Sequence, residues 1–219
     1  MAEICDRPAV ILTGFGPFKD HKTNDSWAAV CQITQGDRGK SIEESLGVRL
    51  VTEHMPVSYD FADRAIPDLW EAHKPLFVLH VGIHVDDLFR IETKSFRSNY
   101  TSKDINGKTP EQNICRVGTE EILETKLDTV KLLEDVKATL GSKGTNVEVA
   151  LSENPGNFLC GYSFYTSLCA DAERCLFLHI PPPSSSIPIE HKADVVEAVM
   201  IRSVEQLRAT CGNREAPRS

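Results

Sequence analysis

No stretch of this chain approaches the ~20 consecutive apolar residues that cross a bilayer, so a membrane-spanning protein is not expected. The opening residues, Met1-Ala2-Glu3-Ile4-Cys5-Asp6-Arg7, lack the basic-then-apolar layout of an export signal. A soluble, cytoplasmic protein is the expectation. Basic charge is also in short supply: 24 Lys and Arg face 32 Asp and Glu, for a net charge of −8. Phosphate backbones are bound by clustered cations, so neither nucleic acid nor a membrane surface is the expected partner. Cysteine pairing is missing too. The seven cysteines, at 5, 31, 115, 160, 169, 175 and 211, are odd in number and form no Cys-x-x-Cys, and no His-x-x-x-His stands beside them. That disfavours a zinc site and a secreted disulfide framework. Free thiols in a reducing compartment fit better, and neither metal nor cofactor is expected.

What is present is ordinary for a globular domain: 219 residues, 41% hydrophobic and 26% charged, enough for one well-buried core. Ala9-Val10-Ile11-Leu12 reads as a buried strand running into a turn at Thr13-Gly14. Asn24 suits the N-cap of a helix to about Ile33. Strands are expected at 48–51, 76–82, 146–151 and 175–180. Helices are expected at 59–73, where Pro67 should kink the chain, and from Val130 to Leu140, with Gly141 as the stop. Phe158, Tyr162, Tyr165 and Cys169 mark one face of a further helix. A last helix carries Val195 and Val199 and precedes a polar tail from Cys211. The polar segment 97–119 is long enough to be functional or mobile. Strands alternating with helices predict a single-domain α/β/α sandwich with a mixed, mainly parallel sheet, its core at about 8–210 and its tail at 211–219.

Sites in such sheets gather at strand ends. Cys160 follows the turn Ser152-Glu153-Asn154-Pro155-Gly156 and should fall in the first turn of a helix. Unpaired N–H groups and the helix dipole there favour a thiolate and could hold an oxyanion. By the 3.6-residue turn it also lies off the apolar stripe. His179 ends an apolar strand and could reach Cys160 as a general base, or could be a satisfied structural residue, as His80 in a similar setting could. Glu92 is a candidate third member or an ordinary surface carboxylate. Phe15 and Phe18, in Thr13-Gly14-Phe15-Gly16-Pro17-Phe18, could wall an apolar pocket or belong to the core. The same segment begins like a dinucleotide fingerprint, but Lys19 stands where the third glycine belongs.

At these residues the chain resembles the pyroglutamyl-peptidase I (pyrrolidone-carboxylate peptidase) family of cysteine peptidases. The similarity runs collinearly from Val10 to about Leu207. It is carried by Thr13 to Phe18 with Asn24 and Ser26-Trp27, by His80-Val81-Gly82, by Phe158-Leu159-Cys160 with Tyr165-Thr166-Ser167-Leu168, and by Phe177 to Pro182. The resemblance implies an exopeptidase that removes an N-terminal pyroglutamate from peptides. Cys160 would be its nucleophile, His179 its proton carrier and Glu92 the residue that orients the imidazole. Phe15 and Phe18 would enclose the flat lactam, with Asn24 as a polar contact. No metal or cofactor is implied, and a monomer is expected rather than a tetramer.

The chain departs from the family in places. Ile83-His84-Val85-Asp86-Asp87 stands where small residues and glycine are usual, Gly161 where Asn or Asp is usual, Lys19 where glycine is common and Pro155 where alanine is general. With all three catalytic positions intact, activity is expected, with altered efficiency or preference. The alternatives are a family member that has lost catalysis and acts as a binding or regulatory protein, and a nucleotide-binding enzyme resting on Gly14-Phe15-Gly16 alone.

Overall fold

The computed structural model describes residues 7–18 and 22–215, with side chains through residue 210. Cys5, Lys19 and residues 216–219 of the expected tail lie outside these. In chain order the first part runs β1 (Ala9–Phe15), α1 (Asp25–Thr34), α2 (Gly36–Leu46), β2 (Arg49–Met55), α3 (Tyr59–His73), β3 (Phe77–Ile83), β4 (Phe89–Glu92) and β5 (Lys94–Phe96). The second part runs β6 (Ile122–Glu124), α4 (Thr129–Lys143), β7 (Val149–Ser152), α5 (Leu159–Ala170), β8 (Cys175–Ile180) and α6 (Ile189–Glu215).

The central sheet has the order β2-β1-β3-β8-β4-β7. β2, β1, β3 and β8 pair in parallel, and β4 turns antiparallel against β8 while pairing in parallel with β7. β5 and β6 make a separate antiparallel ribbon. Successive side chains of a strand point to opposite faces. Val10 and Leu12 of β1, with Leu176 and Leu178 of β8, therefore enter one core together with α1, α4 and α6. Ile11, Phe15, Val78 and Phe177 enter the other, with α3 and α5. Strands covered on both faces read as unbroken apolar runs, which is why β1, β3 and β8 were legible in the sequence. The mixed, mainly parallel α/β/α sandwich follows.

Several elements differ from expectation. β1 continues through Thr13-Gly14 to Phe15, whereas α1 begins at Asp25 with Asn24 as its N-cap, as expected. A dinucleotide fingerprint needs its helix directly after the glycines, so that reading loses its basis. α2 has only Ile42 and Leu46 as large buried apolar residues, too few for a visible periodicity. α4 passes through Gly141 and stops at Gly144, whose φ of 73° is the left-handed conformation of a helix cap. Its buried face is Leu132, Val136 and Leu140, leaving Val130 61% exposed. α3 runs on through Pro67, and α6 runs past Cys211 to Glu215.

The 97–119 segment is fastened down. Tyr100 is 1% and Cys115 0% exposed. The Asp104 carboxylate accepts backbone N–H bonds from Tyr59, Asn106 and Lys108 at 2.8–3.1 Å. Tyr100 stacks edge-on against Tyr162, and Tyr59 joins both to Phe158.

Candidate active site

His179 is two residues beyond Phe177 on β8 and so emerges on the same face of the sheet, under α5. The antiparallel pairing sets Arg90 opposite His179 and Glu92 opposite Phe177. Glu92 thereby comes to the same face, with Oε1 2.7 Å from His179 Nδ1. Both are buried, at 2% for His179 and 0% for Glu92. The other carboxylate oxygen, Oε2, has no hydrogen-bond partner among the described residues. A buried, half-satisfied carboxylate is costly unless positive charge stands or develops beside it.

Cys160 is the second residue of α5, in the first turn as expected. Its sulfur lies against β3: a Cβ built on Gly82 would come within 2.9 Å of Sγ. Gly82 is the register partner of His179 on the neighbouring strand. The nucleophile candidate and the His–Glu pair are thus on one face, centred on adjacent strands. No hydrogen bond joins Cys160 to His179 in this resting arrangement.

The expected thiolate is not the resting form. Burial, reinforced by the Glu92 carboxylate, pushes the Cys160 thiol up to about 12, and the backbone N–H at the helix start offsets only part of this. Desolvation outweighs the helix terminus because α5 has little open surface there: Leu159 and Gly161 to Leu168 are all buried. From Gly161 to Leu168 the helix is covered on every side rather than apolar along one stripe, and Cys160 is half-buried where the cavity opens. Gly161 belongs to the same crowding, since a Cβ there would stand 2.2 Å from the Gly156 carbonyl oxygen. The Asn or Asp usual in the family would not fit this turn.

Beside Cys160 opens a cavity of about 340 Å³. Phe15, Phe18 and Asn24, the three expected binding residues, all line it, together with Phe158 and His84. Phe18 and Phe158 face each other at 5.0 Å between ring centroids. Asn24 is more constrained than expected. Its Oδ1 accepts the Ser26 N–H at 3.1 Å and the Ser26 hydroxyl at 2.7 Å, and its Nδ2 donates to the Gly16 carbonyl at 3.1 Å. The Ser26 hydroxyl oxygen in turn accepts the Phe15 N–H at 2.9 Å. This N-cap arrangement latches β1 to α1 and fixes the aromatic wall.

Sequence reasoning passed over two residues here. His84 lines the cavity, and its ring stands edge-on to His179 at 5.3 Å. It lies in the divergent 83–87 segment, whose departure from the family was the available signal. Lys192, 1% exposed, donates to Asp25 at 2.6 Å and to the Pro182 carbonyl at 2.8 Å. It ties the start of α1 to a cavity-lining loop, and nothing in the local pattern around it announced that. His80 is structural: Nδ1 bonds Thr13 Oγ1 and Nε2 bonds Ser167 Oγ, both at 2.8 Å. Among the described residues no group of three or more His, Cys, Asp or Glu is placed to hold a metal ion.

A buried His–Glu pair beside a helix-start cysteine, at the strand ends of an α/β/α sandwich, is the set of groups that cysteine-dependent acyl transfer uses. The chain belongs to the pyroglutamyl peptidase family: residues 40–184 match the family model described as "Putative pyroglutamyl peptidase PgaPase_1". It is 29% identical to human pyroglutamyl-peptidase 1 over 207 residues, covering 94% of each chain. It is 32% identical to the Rattus norvegicus protein of the same name over 177 residues, covering 80% of each. In shape it is similar to the pyrrolidone carboxyl peptidase of Thermococcus litoralis, with TM-score 0.76 and 18% identity over 93% of this chain and 96% of that one. Pyroglutamyl peptidase I of Bacillus amyloliquefaciens gives 0.73 and 21%, over 91% and 98%.

Proposed function

We propose that this protein is a cysteine exopeptidase that hydrolyses the bond after an N-terminal pyroglutamyl residue, with Cys160 as nucleophile, His179 as proton carrier and Glu92 as its orienting carboxylate. The observation that carries the reading is the buried 2.7 Å His179–Glu92 pair sharing a sheet face with Cys160 beside an aromatic-walled cavity. Membership of the pyroglutamyl peptidase family supplies the substrate class. A flat, neutral lactam suits a slot between Phe15, Phe18 and Phe158, where apolar surface does most of the binding.

The chemistry follows from the residues. Because the resting sulfur is a thiol, His179 takes its proton as Sγ attacks the pyroglutamyl carbonyl carbon. The N–H groups at the start of α5 stabilise the oxyanion. The imidazolium then protonates the leaving amine, the peptide departs, and a thioester joins Cys160 to the pyroglutamyl group. Water, deprotonated by the same imidazole, hydrolyses that thioester and restores the thiol. Glu92 holds Nδ1 so that the other ring nitrogen handles the protons, and its charge supports the imidazolium between the two steps.

One peptidase domain, acting as a monomer on peptides with an N-terminal pyroglutamate, completes the proposal. Among the described residues the exposed large apolar side chains, Val85, Ile105, Ile122 and Val130, lie in separate segments of the chain, which favours the monomer. No described helix is long and apolar enough to cross a membrane. The test is release of a fluorophore from pyroglutamyl-aminomethylcoumarin under reducing conditions. Wild type should turn over and Cys160→Ala should not. A folded wild type without turnover would favour the binding or regulatory alternative.

A further inference from the structure

The polar side chains lining the cavity are few. Phe15, Phe18, Phe158, Leu159, Ile83 and Val85 contribute apolar surface, and Asn24, His84, Cys160 and Ser184 are the polar exceptions. Asn24 has both its oxygen and one amide hydrogen committed to the β1–α1 latch. Cys160 is the proposed nucleophile, and Ser184 is exposed. His84 alone is half-buried with an uncommitted ring nitrogen: Nε2 makes no hydrogen bond in the described protein. A lactam brings one N–H donor into this slot, and a buried donor left without an acceptor weakens binding.

We propose that His84 is a specificity-determining residue of this site, its Nε2 accepting the lactam N–H and so selecting a cyclic amide over rings that lack that hydrogen. The assignment rests on the peptidase reading above and deepens it.

The surroundings of His84 set the ring up for that role. Nδ1 lies 3.2 Å from Asp86 Oδ1. Arg90 forms an ion pair with Asp86 through the other oxygen, Oδ2, and the Leu88 N–H reaches Oδ1 at 3.4 Å. Desolvation works against the Asp86 carboxylate, but the Arg90 hydrogen bond, the Leu88 N–H and the Arg90 charge hold Asp86 below its ordinary range. An ionised carboxylate only accepts, so Nδ1 carries the hydrogen and Nε2 keeps the lone pair. Burial, and then the neighbouring His179, hold the His84 ring below its ordinary value and favour the neutral form. The acceptor is thus supplied by the 83–87 segment, the stretch in which this chain departs from the family.

The test compares aminomethylcoumarin release from the pyroglutamyl substrate with release from its lactone counterpart, in which the 5-oxotetrahydrofuran-2-carbonyl group replaces ring N–H by oxygen. Wild type should favour the lactam in kcat/KM by about tenfold or more, the range of one neutral hydrogen bond. His84→Leu should lose lactam turnover selectively and bring the ratio near one. His84→Gln, which keeps an acceptor, should retain part of the preference. Because each ratio is taken within one preparation, loss of active protein cancels. A His84→Leu variant that slows both substrates by the same factor, or that leaves the wild-type ratio intact, overturns the assignment. Absence of lactam turnover in wild type would instead overturn the peptidase reading on which it stands.

Discussion

At the scale of single residues the site is governed by desolvation. Cys160 stands where a helix terminus would lower its pKa, yet burial and Glu92 dominate and keep it a thiol. In the proposed mechanism nucleophilicity then comes from proton transfer during attack, which makes the orientation of His179 decisive. Glu92 would supply that orientation through one oxygen, the other having no hydrogen-bond partner among the described residues. Glu92→Gln should therefore preserve the shape but allow the wrong tautomer, lowering kcat by roughly 10³–10⁴-fold, the scale seen when other triads lose their carboxylate. KM should change little, because the carboxylate touches the base and not the ligand. Steady-state kinetics on the coumarin substrate would check this, and a rise in KM with unchanged kcat would refute it.

At the scale of elements the cavity depends on how α1, α6 and the loop after β8 are joined. Lys192 of α6 is the join: its buried ammonium holds Asp25 at the start of α1 and the carbonyl of Pro182. Removing one partner of a buried pair leaves the other charge without compensation. Asp25 keeps 19% side-chain exposure, so the cost stays below that of a sealed pair. Lys192→Met should destabilise the fold by about 2–4 kcal/mol and raise KM as Pro182 and the Asn24 turn move apart. Chemical denaturation together with substrate titration would measure both effects. Full stability with unchanged KM would show that the contact is dispensable.

Across the whole molecule one hydrogen-bonded chain ties α3 and α5 to the central strands β3 and β1. Trp70 of α3 donates to Ser167 of α5 at 2.7 Å, Ser167 meets His80 of β3, and His80 meets Thr13 of β1. Burial drives the His80 pKa from 6.5 down to about 3. The unfolded chain thus binds a proton near pH 6.5 that the native state refuses until about pH 3. Stability from this group is complete above the unfolded value and is lost as pH falls through that window. The slope is about 1.4 kcal/mol per pH unit. Thermal unfolding followed from pH 7.5 to 4.5 should show Tm falling with acidification, and His80→Gln should flatten the fall. An equal slope in that variant would remove His80 as the cause.

The long apolar runs of β1, β3 and β8 and the turn before Cys160 determined the α/β architecture by themselves. Burial on both sheet faces leaves an unmistakable local pattern, and helix starts have local chemistry. The same local signals located Phe15, Asn24, Cys160 and His179 at strand or helix ends, and Phe18 just beyond one. α2 and the true end of α4 escaped because sparse apolar residues and a glycine tolerated inside a helix leave ambiguous patterns. Glu92 read equally well as a surface carboxylate. Only the antiparallel turn of β4 against β8 buries it beside His179, and strand order is a property of the sheet rather than of any segment. The protonation state of Cys160, the commitment of Asn24's amide, the stance of His84 in the cavity and the reach of Lys192 were likewise decided by tertiary structure. Desolvation and hydrogen-bond partnership arise between residues distant in the chain, and no local pattern encodes them.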